Sequence, residues 1–231
     1  MMAPPHVNDR KGVPPPILIT GCPRSGTSLT AGIIDLCGAW GGECVPGNRD
    51  NPRGFFENWP IKRDLVKPYL RSIGADDRGQ KPLPPRKLEP VPWWREAVVD
   101  SIVDQGYNIN VGSVWYVKEA KACLMWQVWH HAFPDATWVI VRRRAETIAR
   151  SCLATGFMRA YSDFAGWMRY VKEHEARFEI MKAAGLKYIE VWPERAVRGD
   201  LLEFESLITR LGLQWDAAAV KEFIMPEVWH N

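Results

Sequence analysis

The sequence predicts an α/β fold, a central parallel sheet covered by helices on both faces in a three-layer sandwich. Three observations carry this. Residues 17–20 and Thr137–Val141 are short and continuously apolar, a glycine-rich turn joins the first of them to a helical pattern, and strand-like and helical stretches alternate thereafter. Apolar runs of that length are what strands buried on both faces look like. Strand, tight loop and helix in that order open an α/β unit.

The elements follow in order. Residues 1–16 (MMAPPHVNDRKGVPPP) have no apolar stretch and read as a loose, flexible arm ending at Pro14, Pro15 and Pro16. Residues 17–20 form the first strand. After the turn, Leu29, Ile33, Leu36 and Cys37 recur at helical spacing until Gly38, Gly41 and Gly42 stop the helix. Residues 44–60 are irregular, with turn formers at NRDNPRG and an aromatic pair at Phe55 and Phe56. A helix is expected over 61–73. Residues 74–92, rich in Pro, Gly and charge, read as a solvated loop insertion.

A helical pattern spans 93–103. Residues 114–117 read as a second strand, followed by Lys118-Glu119-Ala120-Lys121 and a helix over 122–132. Thr137–Val141 is the next strand, with Arg142, Arg143 and Arg144 at its C-terminal end. Helices are expected over 145–154 and 161–184, a strand over 187–192, and helices near 200–211 and 217–224. No repeat interrupts this order, so residues 17–231 read as a single domain.

Composition narrows the function classes. With 46% hydrophobic and 25% charged residues, the chain has the balance of a soluble globular protein. A formal charge of +3 is too small to argue for nucleic acid, which is not expected as a partner. Five cysteines, an odd number with no CxxC pair and no secretion signal before them, suit a reduced cytoplasmic protein. No apolar run approaches the length of a membrane span. The histidines show no metal-binding spacing, and no metal is expected.

The chemistry concentrates in Gly21-Cys22-Pro23-Arg24-Ser25-Gly26-Thr27-Ser28. Its GxxxxG spacing is that of a phosphate loop, in which backbone N–H groups and a helix N-terminus receive an anion. Thr27 and Ser28 add hydroxyls. The lysine that an ATPase needs after the second glycine is replaced by Thr27, and the cation lies inside the loop as Arg24. That substitution argues against ordinary ATP or GTP hydrolysis.

The string PRSGTS after a buried strand resembles the 5′-phosphosulfate loop of the sulfotransferase family. Its members share a fold related to the phosphate-loop NTPases and use 3′-phosphoadenosine 5′-phosphosulfate (PAPS), leaving PAP as product. The resemblance implies that Arg24 stabilises the leaving phosphate and that Cys22–Ser28 cradle the donor. A second stretch, Val139 to Ser151, resembles the family's 3′-phosphate motif, a strand-end arginine with a serine eight residues on. Arg143 and Ser151 have that separation, although Arg142 is adjacent and the usual Asp/Asn-Pro is Arg144-Ala145. Three adjacent arginines alone would also suit a solvated or RNA-facing patch, but that leaves the glycine loop unexplained.

Two further segments are similar to the family's. Asn51-Pro-Arg-Gly-Phe-Phe-Glu57 resembles a segment of bacterial members, and Trp115-Tyr-Val-Lys118 sits where many members have a strand ending in lysine. The family's C-terminal glycine- and lysine-containing clamp has no clear counterpart, and Arg195 and Arg198 are candidates to replace it. A general base is implied, and two glutamates compete: Glu57, in the aromatic-glycine loop, and Glu43, whose spacing from Arg24 resembles that in protein-tyrosine sulfotransferases. Trp59, Trp93, Trp94, Phe55 and Phe56 are candidate acceptor contacts, with core packing the more common role of such rings.

The resemblance implies transfer to a hydroxyl, less readily an amine, of a small molecule, glycan or peptide, by a chain that forms a homo-oligomer or acts alone. The alternatives are a phosphate-loop kinase using ATP and magnesium, with Lys118 or Arg24 covering the missing lysine, and a non-catalytic nucleotide- or nucleic-acid-binding module.

Overall fold

The computed structural model describes residues 12–49 and 51–224. Four strands, β1 (Ile17–Gly21), β2 (Tyr116–Lys118), β3 (Thr137–Val141) and β4 (Tyr188–Val191), form one parallel sheet in the order β2-β1-β3-β4. The chain leaves β1 for β2 on one side and then crosses to β3 on the other. This puts a topological switch point between the C-terminal ends of β1 and β3, where open α/β sheets bind ligands.

Alternation along the strands divides the core between two faces. Leu18, Val117, Trp138 and Ile140 pack against α3 (Trp94–Asp104), α4 (Trp126–Ala132) and α6 (Phe164–Ala183). Ile17, Ile19, Val139 and Val141 point the other way, onto α1 (Thr27–Leu36), α8 (Leu202–Arg210) and α9 (Ala217–Phe223). Helices therefore cover both faces, and the expected three-layer α/β architecture is the one observed. A smaller cluster joins α5 (Ala145–Ala154) to α6 through Ile148, Cys152, Trp167 and Val171.

Several local expectations need revision. The helix expected over 61–73 is two pieces, a π-helical turn at Ile61–Val66 running into α2 (Lys67–Ser72). The segment before α4 is a 3₁₀ turn at Ala120–Met125, because Thr20 Oγ1 donates to Ala120 O and accepts from Cys123 N, tying it to β1. A short α7 (Glu194–Val197) follows β4.

Most of the expected loose arm, residues 1–11, lies outside the described residues. Residues 12–16 are not loose. Val13 is buried, its carbonyl accepts from Arg95, and Pro14 O accepts from Trp115 Nε1 at 2.8 Å. The stretch 74–92 is irregular but anchored rather than simply solvated. Gln80 is buried and bonds the backbone of Phe157, Arg159 and Ala160, while Gly79 O accepts from Tyr170 and Pro84 O from Arg177.

Candidate functional site

Residues 22–26 turn sharply at the end of β1. Arg24 (φ 75°) and Gly26 (φ 99°) adopt left-handed backbone conformations, and Cys22 O accepts from Ser25 N at 3.0 Å. A Cβ at Gly21 would lie 2.6 Å from both Ser25 Oγ and Val141 O, so only glycine lets the loop close on β3. Helix α1 begins with no side-chain cap and no acidic residue in its first turn, leaving its amide end open to an anion. Ser25 Oγ is buried beneath the loop with no protein partner. A cradle of this shape with an orphaned hydroxyl fits a phosphate-like group.

The end of β3 completes the site. Gly21 and Val141 are register partners, so the loop and the arginine run leave adjacent strands side by side. Arg143 is buried, and its Nη1 donates to Arg24 O at 3.0 Å. Arg24 Nε in turn donates to Ser151 Oγ on α5, also at 3.0 Å. Burial lowers the Arg143 pKa to about 10, and it remains a cation at neutral pH. Arg142 points elsewhere, into an ion-pair cluster with Glu175 and Glu190 and against the Phe178 and Trp192 rings. Of the two adjacent arginines, Arg143 is the one beside the loop.

A cavity of about 300 Å³ opens beside the loop, with Pro23, Arg24, Thr27 and Ser28 in its wall. Glu57 contributes the cavity's carboxylate. It is held by Asn58, whose side chain bonds Gly41 O and Ile61 N, and by its own carbonyl, which accepts from Val45 N. Lys118 Nζ donates to Glu57 Oε1 at 2.9 Å, and Lys62, presented by the π-helical turn, pairs with the other oxygen. Burial alone would raise the Glu57 pKa. Lys118, Lys121 and Lys62 outweigh it and hold the carboxyl well below the usual carboxylate range.

Glu43 is exposed and absent from the cavity wall, and its backbone bonds Gln105 Oε1 and Trp59 N. Cys22 and Ser25 are buried behind the loop rather than in the wall, and burial raises the Cys22 thiol pKa well above its ordinary value. Of the five candidate rings only Phe55 lines the cavity. Trp94 is core, Trp59 and Trp93 are surface, and Phe56 packs on Phe223. Arg195 and Arg198 line a second, open pocket with Arg144, Trp192 and Glu194. Among the described residues, no cluster of His, Cys, Asp and Glu has metal-ligand geometry and no helix is long and apolar enough to cross a membrane.

Sequence reasoning missed Lys62, Lys67, Arg78 and Lys121 as site residues, all of which line the cavity. Lys62 and Lys67 fall in the stretch expected as a helix over 61–73, where nothing local marks a lysine as facing a cavity. Arg78 lies in the stretch read as solvent-facing.

Comparison with known proteins bears on the same region. The model of the sulfotransferase family matches residues 15–217. No curated protein matches the chain significantly. Two bacterial structures resemble it in fold. The sulfotransferase STF1 from Mycobacterium tuberculosis H37Rv aligns with a TM-score of 0.53 and 15% identity, covering 94% of this chain and 73% of that one. The sulfotransferase domain of the Synechococcus PCC 7002 olefin synthase aligns with a TM-score of 0.55 and 16% identity, covering 94% and 86%.

Proposed function

The chain belongs to the sulfotransferase family, and from that premise we propose that it moves a sulfuryl group from PAPS to a hydroxyl acceptor. The observation that carries this reading is the convergence of Arg24, Arg143 and Ser151, joined by two 3.0 Å hydrogen bonds although they come from distant parts of the chain. Two anion subsites separated by one arginine suit a donor with a 5′-phosphosulfate and a 3′-phosphate, and no ordinary nucleoside triphosphate needs the second.

When bound, PAPS supplies an activated sulfuryl group whose leaving group is a phosphate. The loop amides, the N-terminus of α1 and the hydroxyls of Thr27 and Ser28 hold the oxyanion. Arg24 supplies positive charge where the leaving oxygen becomes negative. Arg143 and Ser151 hold the second phosphate, Arg143 through a planar fork of donors. Glu57 receives the acceptor's proton. Its depressed pKa makes it a weak base, so it takes that proton late, once the acceptor oxygen has begun bonding to sulfur and grown acidic. Glu43 is far less suited, being exposed and outside the cavity wall. The similarity of the loop to that of protein-tyrosine sulfotransferases adds nothing about the acceptor.

Calorimetry with PAP, ATP and GTP, each with and without magnesium, tests the reading. Tight, magnesium-independent binding of PAP is expected. Preference for ATP with magnesium would replace sulfuryl transfer with a kinase.

A further inference from the structure

The cavity carries more positive charge than a phosphosulfate donor accounts for. The glycine loop contributes one cation to its wall, Arg24. The remaining wall contributes Lys62, Lys67, Arg78, Lys118 and Lys121 against the single carboxylate of Glu57. Lys121 is neutralised by Glu119 at 2.6 Å. Lys118 and Lys62 share Glu57 between them. The side chains of Lys67, half-buried in the first turn of α2, and of Arg78, exposed, have no hydrogen-bond or ion-pair partner among the described residues.

Arg78 is not on a wandering chain. It precedes Gly79, whose carbonyl is bonded by the Tyr170 hydroxyl, and Gln80, whose backbone N–H donates to Asp76 and whose side chain fastens the stretch to residues 157–160. The backbone that presents Arg78 is thus held in place, and with Lys67 from a second element it gives the cavity wall two cations. An alcohol without charge would leave both cations facing the acceptor with no counter-ion, whereas an acceptor carrying its own anion would neutralise them.

Resting on the sulfuryl-transfer reading, we infer that the acceptor is an alcohol already bearing an oxyanion group, a phosphate, sulfate or carboxylate, which Lys67 and Arg78 hold while its hydroxyl faces Glu57. The acceptor oxygen bonds to sulfur, the bond between sulfur and the donor's phosphate oxygen breaks, that oxygen keeps the electron pair, and the hydroxyl proton passes to Glu57. The anionic group takes no part in bond making. It orients the acceptor and supplies affinity that a neutral alcohol lacks.

The test uses the full chain saturated with PAP, so that the donor's own anion subsites are filled. Inorganic phosphate, inorganic sulfate and acetate are titrated into it by calorimetry, the three separating phosphate, sulfate and carboxylate recognition. At least one of them is expected to bind, and to bind at least fivefold more weakly to Lys67→Ala/Arg78→Ala, which keeps wild-type PAP affinity and so is folded. A smaller loss, no binding of any of the three to the wild type, or a parallel loss of PAP affinity in the variant would overturn the inference. Failure of the wild type to bind PAP is a different result and would overturn the sulfuryl-transfer reading itself.

Discussion

Replacing Glu57 by Gln removes one negative charge from a buried cluster and leaves its shape nearly unchanged. Lys118 Nζ lies 2.9 Å from Glu57 Oε1, and the side chains are 3% and 9% exposed. At the effective dielectric that suits such pairs, the attraction is about 6 kcal/mol before desolvation is counted. Removing one partner of a buried pair costs roughly 3–5 kcal/mol, because the other charge stays behind. Gln still offers an amide oxygen to one lysine, so a loss of about 3 kcal/mol is expected, or roughly 6–12 °C in melting temperature for a chain of this size.

The pH dependence fixes the sign. The folded-state pKa of Glu57 is depressed from 4.5, so its contribution is complete above that value and fades as pH falls through the folded pKa. The gap between wild type and variant should shrink below about pH 4.5 in thermal melts. Turnover should fall about 10²- to 10⁴-fold if Glu57 takes the acceptor's proton. Because the carboxylate stays ionised, the wild-type rate should show no acid limb from this group at any pH where the chain is folded. A variant with the expected drop in melting temperature but turnover within about threefold of wild type would refute the base assignment. Glu57 would then serve only as a counter-charge for the lysines.

Arg24→Gly should separate stability from activity: the left-handed φ of 75° suits glycine, so stability is expected to stay within about 1 kcal/mol by urea unfolding. Its turnover should nonetheless drop about 10²- to 10³-fold, and near-normal turnover would remove Arg24 from the leaving-group role. Arg143→Ala should weaken PAP binding roughly 10- to 100-fold, the worth of a charge-assisted contact, and unchanged affinity in calorimetry would mean the 3′-phosphate lies elsewhere. His174 is fully buried, and burial lowers its pKa from 6.5 to about 4. The native state therefore loses stability as pH falls from 6.5 towards 4, by about 3 kcal/mol from this group. Urea midpoints of His174→Gln across that window should be less pH-dependent than those of the wild type, and equal slopes would contradict the buried neutral imidazole.

What the sequence made legible is what local chemistry dictates. Thr137–Val141 and Ala145–Ala154 fall where the apolar run and the helical spacing put them. The glycine loop is legible because a left-handed turn at the end of a buried strand needs glycine at fixed places. The choice between Arg142 and Arg143 was not, because it depends on which way successive side chains of a strand end point, and on the acids of α6 and β4 that capture Arg142. The burial of Gln80 was equally hidden. Nothing local distinguishes a glutamine in a Pro- and Gly-rich loop from one that bonds three backbone groups 77 to 80 residues away. The same gap concealed Glu57's lysines, which arrive from β2, its following 3₁₀ turn and a π-helical turn.

The register of β1 and β3 explains why two distant motifs act on one another. Gly21 pairs with Val141, so Arg24 and Arg143 stand three and two residues beyond partnered positions at the switch point. The chain diverges there, β1 turning into α1 and β3 into α5, and the space between is lined by the inward sides of both turns. Arg143 steadies the loop by donating to Arg24 O, and Arg24 reaches across to Ser151 on the helix that follows Arg143. The loop's strained residue is thus held by the two groups proposed to hold the second phosphate. Ser151 Oγ accepts from Arg24 Nε and keeps its own O–H to donate, so one hydroxyl can hold the Arg24 guanidinium and a phosphate oxygen together at the edge of the cavity that Glu57 and its lysines line. In the proposed mechanism, the serine that holds the second phosphate is therefore also the group that positions the leaving-group cation.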